Sequence, residues 1–215
     1  ANGAGALNNQ AHDSNFFGYQ AGAVNLGNQT NFAYFSNFFG NGAGRNAYNA
    51  NYSNFLGLNC GNSATNANNS NFFGHNAGNG ATNANYSNFM GFYAGNYASI
   101  ADNCNFFGNG AGQDFSGSVG SNNNFIGTQA GQSVGKNSIS YNIAITDNNF
   151  VGTSAGYNTN GSGSTNIQFI SNNFFGYKAG YNAKASGNYA VIGYNNFFGC
   201  NSGYNANASG NGAYI

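Results

Sequence analysis

Glutamate, proline and tryptophan are absent from this chain of 215 residues, and charge of either sign is scarce. Charged residues make up 4%, against about 25% in an ordinary soluble domain. Arg45, Lys136, Lys178 and Lys184 balance Asp13, Asp102, Asp114 and Asp147, so the net charge is zero. A phosphate backbone meets no basic stripe here, which argues against nucleic acid as a partner. No stretch approaches the roughly 18 consecutive apolar residues of a membrane-crossing helix, so no membrane span is expected. The opening residues carry neither a basic nor an apolar leader segment, and the chain is expected to be a fragment or the product of leader removal. The three cysteines are odd in number and lack C-x-x-C spacing.

Gly and Asn fill the space these absences leave, with 35 Gly and 48 Asn. Such a composition suits disorder, but 21 Phe and 15 Tyr in periodic positions supply a core. One phrase organises them: Asn-Phe-(apolar)-Gly-x-x-(small)-Gly. It occurs ten times, beginning at Asn15, Asn37, Asn54, Asn71, Asn88, Asn105, Asn124, Asn149, Asn173 and Asn196. The small residue is Ala in eight copies, Cys60 in one and Ser202 in another. Self-similarity at about 20 residues indicates a solenoid. The expectation is an all-β, fibrous β-solenoid of about ten coils of 17–25 residues, one continuous repeat domain over 1–215.

From Asn37 to Asn105 the period is 17, four times running. Ala47, Ala64, Ala81 and Ala98 form one ladder, Ala50, Ala67, Ala84 and Ala101 a second, and Ser53, Ser70, Ser87 and Cys104 a third. Cys60 and Cys104 thus read as buried small residues in the stack. Later spacings are 19, 25, 24 and 23, and the first is 22. The longer coils contain alternating segments at Asn31, Asn142, Asn166 and Asn188, which read as extra short strands. Short coils, about 37–123, are expected to have one main strand, and the longer coils, about 124–215, two.

Recurrent Gly argues against helix, since each interior Gly costs about 1 kcal/mol relative to Ala. Gly and Asn instead suit corners with positive φ. The first Phe of each copy is the candidate core ladder: Phe16, Phe38, Phe55, Phe72, Phe89, Phe106, Phe125, Phe150, Phe174 and Phe197. The next residue, always apolar, faces the other way and needs its own cover, for which a neighbouring chain is expected. Outward Asn in register is expected to form amide ladders.

The Gly runs are not followed by G-K-[ST], so they belong to the repeat and not to a phosphate loop. His12 and His75 stand at unlike repeat positions, and four scattered Asp make no calcium array. No catalytic group, metal ligand or cofactor site is expected, and an enzyme is the least favoured class. Candidate N-glycosylation sites are Asn28, Asn51, Asn68, Asn85, Asn160 and Asn207, three of them 17 apart. Chance sequons are common in an Asn-rich chain.

The phrase N-F-F-G-Y-K-A-G with N-Y-A-V-I-G resembles the Gly/Asn repeats of bacterial surface and phage tail-fibre-like proteins. The N-x-A-x-I-G half is similar to the head repeat of trimeric autotransporter adhesins. The resemblance spans nearly the whole chain and implies an extracellular, fibrous β-solenoid, with a trimer among the implied assemblies. The second Phe, the variable coil length and the absence of a coiled-coil stalk depart from the adhesin pattern, and no functional residues carry over.

The favoured function is a structural extracellular filament or surface fibre. Its partner is itself, head to tail or laterally, because the two ends of the chain match complementary halves of one repeat and neither shows a polar capping coil. The alternatives are a glycan-binding adhesin or tail-fibre shaft, with Tyr19, Tyr177, Tyr181 and Tyr204 as stacking residues, and a functional amyloid matrix protein. Ice binding is disfavoured, since Thr65 and Thr82 make too short a row.

Overall fold

A computed structural model describes residues 11–23, 33–116, 119–136, 143–162, 166–210 and 212–214. Asn28, Asn31 and Asn142 lie outside these, as do the chain-end motifs at Asn2–Gly5 and at Asn211 and Ile215. The protein is an all-β solenoid of parallel, stacked coils, with no helix among the described residues. Every copy of the repeated phrase opens on a three-residue strand, from Asn15–Phe17 through Asn196–Phe198. These ten strands form one parallel sheet in chain order, like residue on like residue: Asn71 pairs with Asn88, Phe72 with Phe89 and Phe73 with Met90.

Alternation along each strand sends the first Phe inward and the second apolar residue outward. Phe38 is 1% exposed, and Phe55, Phe72, Phe89, Phe106, Phe125, Phe150 and Phe174 are fully buried. From Phe38 to Phe197 successive rings stack at 4.6 to 4.9 Å with interplanar angles of 3° to 12°. That distance is the spacing of parallel strands, about 4.8 Å, so the rings repeat with the backbone. Phe16 and Phe197, in the first and last strands, are only partly buried.

The two glycines of the phrase have separate steric causes. At the first, a Cβ on Gly91 would stand 2.4 Å from the Gly108 carbonyl oxygen of the next coil, with φ at +139°. At the second, a Cβ on Gly95 would stand 2.3 Å from the ring of Phe89 in its own coil, with φ at +62°. The first Gly lets coils approach, and the second gives each ring a flat floor. Other corners use left-handed residues at fixed places in the coil. Asn49, Asn66 and Asn83 hold one such column, which Ile100 continues at φ +51°. A β-branched residue in that region is strained.

A second wall of the short coils consists of single bridges in a row: Tyr48, Thr65, Thr82, Ser99 and Ser116. In the longer coils the same place, eleven residues after the repeat Asn, widens into the strands Asn160–Ser162, Lys184–Ser186 and Asn207–Ser209. A third wall contains Val119–Ser121, Ile143–Thr146, Ile167–Ile170 and Val191–Gly193. Phe115 stands where the short coils have Ala, and packs against Phe106 and Phe125 at 5.7 and 5.8 Å where the cross-section widens.

The strand expectation is corrected, among the described residues, in four coils. The coil that starts at Asn105 already has a second strand, Val119–Ser121, and the coils that start at Asn149 and Asn173 have three strands instead of two. In the segment from Asn31, Tyr34 and Phe35 form a turn, with Phe35 at φ +54°. A parallel strand needs a partner in the next coil, and the next coil is a short one. Tyr34 therefore takes the short-coil corner, donating its N–H to Asn51 Oδ1 and accepting from Tyr52 N–H.

Two substitutions test this account. Gly95→Ala puts a methyl into the Phe89 ring at a left-handed position, and we expect a loss of about 2–4 kcal/mol in denaturant unfolding. Ile100→Asn installs the residue its column otherwise uses, and a gain of about 1 kcal/mol is expected in the same assay.

Candidate functional faces

Three surfaces emerge from the stacked columns: an amide ladder beside an apolar ridge, a ladder of sequon asparagines, and a tyrosine stack.

The first asparagine of each repeat sits on the outer face of the main sheet. From Asn15 to Asn196, each Nδ2 donates to the Oδ1 of the next coil at 2.8 to 2.9 Å, nine times without interruption. An amide both donates and accepts, so one residue type satisfies itself along the row. A second polar column is buried one residue earlier. In the short coils it is Ser36, Ser53, Ser70 and Ser87, all fully buried. Ser70 Oγ donates to Ala84 carbonyl oxygen across the coil at 2.6 Å and accepts from Ser87 N–H at 3.2 Å. In the longer coils the same place is held by Asn123, Asn148 and Asn172, again fully buried. Asn148 Nδ2 donates to Phe169 carbonyl oxygen and to Asn123 Oδ1, both at 2.9 Å. In both cases the backbone acceptor lies three residues before the next member of the column. The longer amide thus crosses the wider coil where the hydroxyl crosses the narrow one. Sequence reasoning missed this switch, although from Asn37 onward the signal was present: Ser or Cys precedes the repeat Asn ahead of coils of 17 or 19 residues and Asn ahead of those of 23 to 25, while Ser14, ahead of the 22-residue first coil, departs from it.

The sequon asparagines are distributed unequally. Asn51, Asn68 and Asn85 form a partly buried ladder in which each Nδ2 donates to the following Oδ1 at 3.0 to 3.1 Å, and Asn85 donates to Asp102 Oδ1 at 3.0 Å. An acceptor-only carboxylate suits the end of such a row. Asn160 is 9% exposed and its Nδ2 is turned to Asn158. Asn207 is exposed. Nδ2 is the nitrogen that a glycan would take, and in these ladders it is engaged.

Tyr157, Tyr181 and Tyr204 stack at 5.0 and 5.1 Å. Lys178 Nζ lies 5.1 Å from the ring centre of Tyr177 and 5.4 Å from that of Tyr181. A hydrogen bond to Tyr177 raises the Lys178 ammonium above its ordinary pKa, and partial burial raises the Tyr181 phenol. Lys178, Asn201 and Tyr204 line a shallow groove of about 350 Å³. Tyr19 is exposed and stands away from this group. His12 stacks on Tyr34 at 5.4 Å, and His75 packs against Phe92 and Tyr93. Among the described residues no cluster of three or more His, Cys, Asp or Glu is placed to hold a metal, and no helix is long and apolar enough to cross a membrane.

Comparison with protein-family models, with curated proteins and with solved structures returned no match.

Two measurements follow from the buried groups. Burial lifts the Cys60 thiol far above its usual value and the Cys104 thiol to about 12, whereas Cys200 is exposed. A thiolate-selective reagent at mildly alkaline pH is expected to titrate one thiol in the native protein and three after denaturation. Asn148→Ser leaves the Phe169 carbonyl without its side-chain donor inside the wide coil. A loss of about 1–3 kcal/mol is expected in chemical unfolding.

Proposed function

We propose that this chain is a non-catalytic structural segment of an extracellular filament or cell-surface fibre, built by stacking coil on coil. The observation that carries the reading is the likeness of successive rungs. Catalysis needs unlike groups converging on a point, whereas the columns here run like on like: ten asparagines, ten inward phenylalanines and ten outward apolar residues. A neutral surface in which amides satisfy one another favours association over colloidal repulsion. A row of backbone and side-chain hydrogen bonds along one axis suits load borne along that axis.

One observation favours a second reading, the shaft of a glycan-binding adhesin or tail fibre. The Tyr157, Tyr181 and Tyr204 stack, with Lys178 and Asn201 beside it, combines aromatic surface with polar donors, a combination that suits sugar rings. An intermolecular cross-β matrix is a physical relative of the first reading, and differs in that its rungs come from separate chains.

Electron microscopy of dilute native material tests the proposal. Long unbranched filaments with an axial repeat near 4.8 Å are the expected result. Discrete rods roughly 43 Å long, the height of nine such steps, would overturn self-assembly and shift the assignment to the shaft reading.

A further inference from the structure

The outer face of the main sheet combines three columns in a band about four residues wide. The first is the Asn ladder. The second is a ridge of Phe, Leu, Met, Ile and Val at all ten rungs, with Phe17 62%, Leu56 37%, Met90 37%, Ile126 44% and Phe198 65% exposed. The third, two residues further on, mixes Tyr19, Leu58, Phe92 and Tyr177, exposed by 54%, 45%, 46% and 49%, with six Asn, His, Thr and Cys residues. None of the four acidic and four basic residues of the chain stands in these columns.

Nine steps of about 4.8 Å make this face roughly 43 Å long, and four residues at about 3.3 Å make it roughly 13 Å wide. Its area is about 560 Å², with the ridge as the continuous apolar strip down its middle. Two such faces together reach about 1,100 Å², above the roughly 1,000 Å² that a specific interface needs. A flat, neutral surface ridged every 4.8 Å fits best a surface of the same period, because only then does each side chain of one ridge fall between two of the other. This chain's own face has that period, and the charge that stands against it is the Lys178 ammonium, 5.1 Å from the Tyr177 ring.

We propose that this face packs against the same face of a second copy of the chain, two solenoids side by side with their outward Phe, Leu, Met, Ile and Val interdigitated. The inference deepens the fibre reading and rests on it: axial stacking sets the length of a fibre, and this contact its thickness.

Sedimentation of the full chain tests it, with circular dichroism to confirm that the strands persist. Filaments, where they form, are expected to be two solenoids wide, and the material below filament size is expected at twice the monomer mass, dissociating on dilution. Leu56→Lys, Met90→Lys and Ile126→Lys together are expected to weaken that pairing by roughly a hundredfold or more, since ammonium groups would be buried unpaired. The triple Thr variant at the same positions retains strand propensity and serves if the Lys variant does not fold. Tyr52→Asn with Tyr86→Asn, on an exposed corner outside the face and in a column that also contains Asn69 and Asn103, is expected to keep the paired mass. A wild type that is monomeric at its highest soluble concentration overturns the proposal, as does a folded ridge variant that keeps the paired mass. Filaments one solenoid wide in both wild type and ridge variant would overturn the lateral contact alone. A paired mass without filaments would support the contact and overturn the axial reading.

Discussion

The rest of the structure depends on the contact between each inward phenylalanine and the glycine six residues after it. With no Cβ on that glycine, the ring lies flat against the backbone of its own coil, and its other dimensions are filled by Ala and by the rings above and below. A buried aromatic side chain contributes roughly 1.5–3 kcal/mol by transfer alone, and here it does so in a coil of only 17 residues. The cross-section can be this thin because one large flat group and several methyls fill it. The remaining glycine of the phrase answers a different demand, the approach of one coil's backbone to the next.

Polar groups inside and outside are then handled by repetition in place of charge. The buried hydroxyls and amides one residue before the repeat Asn are satisfied at once by the coil they cross and by the coil that follows. An unpaired buried polar group costs about 1–3 kcal/mol, so these columns tolerate only residues of the right reach. That is why Ser gives way to Asn as the coil widens; at the step between the two cross-sections Phe115 stands in place of Ala and packs against Phe106 and Phe125. Lys136 and Asp114 form the ion pair found among the described residues, at 2.7 Å and on the surface, where such pairs add little.

Much of the architecture was legible in the amino-acid sequence because a solenoid writes its fold as a period. The ten copies located the ten strands of the main sheet, and the equal spacing of Ala and Ser located the buried columns. The extra segments at Asn166 and Asn188 alternated, and they are strands. Residues 33–36 of the similar segment after Asn31 are not, because pairing depends on the neighbouring coil, which a local pattern does not contain. The walls at Asn160, Lys184 and Asn207 went unread because three-residue strands of Asn, Gly, Lys, Ala and Ser carry no β-branched or aromatic mark. Their common offset from the repeat Asn was the available signal. Of the candidate surfaces, the outward ridge was visible as a second apolar residue in every copy. The engagement of the sequon amides was not, since it depends on which atoms face the next coil.

The outer asparagine row has one more property, which comes from its direction. All nine of its side-chain bonds point the same way along the axis, donor in one coil and acceptor in the next, while the backbone bonds of a parallel sheet alternate in sense and leave little net dipole. Nine aligned amide dipoles do not cancel, and each polarises its neighbours. The short Asn51, Asn68 and Asn85 row adds to them, and the buried Asn123, Asn148 and Asn172 row, which runs in the reverse sense, subtracts over only part of the length. An object with almost no net charge is therefore still a polar rod, whose two ends differ electrically although its rungs are alike.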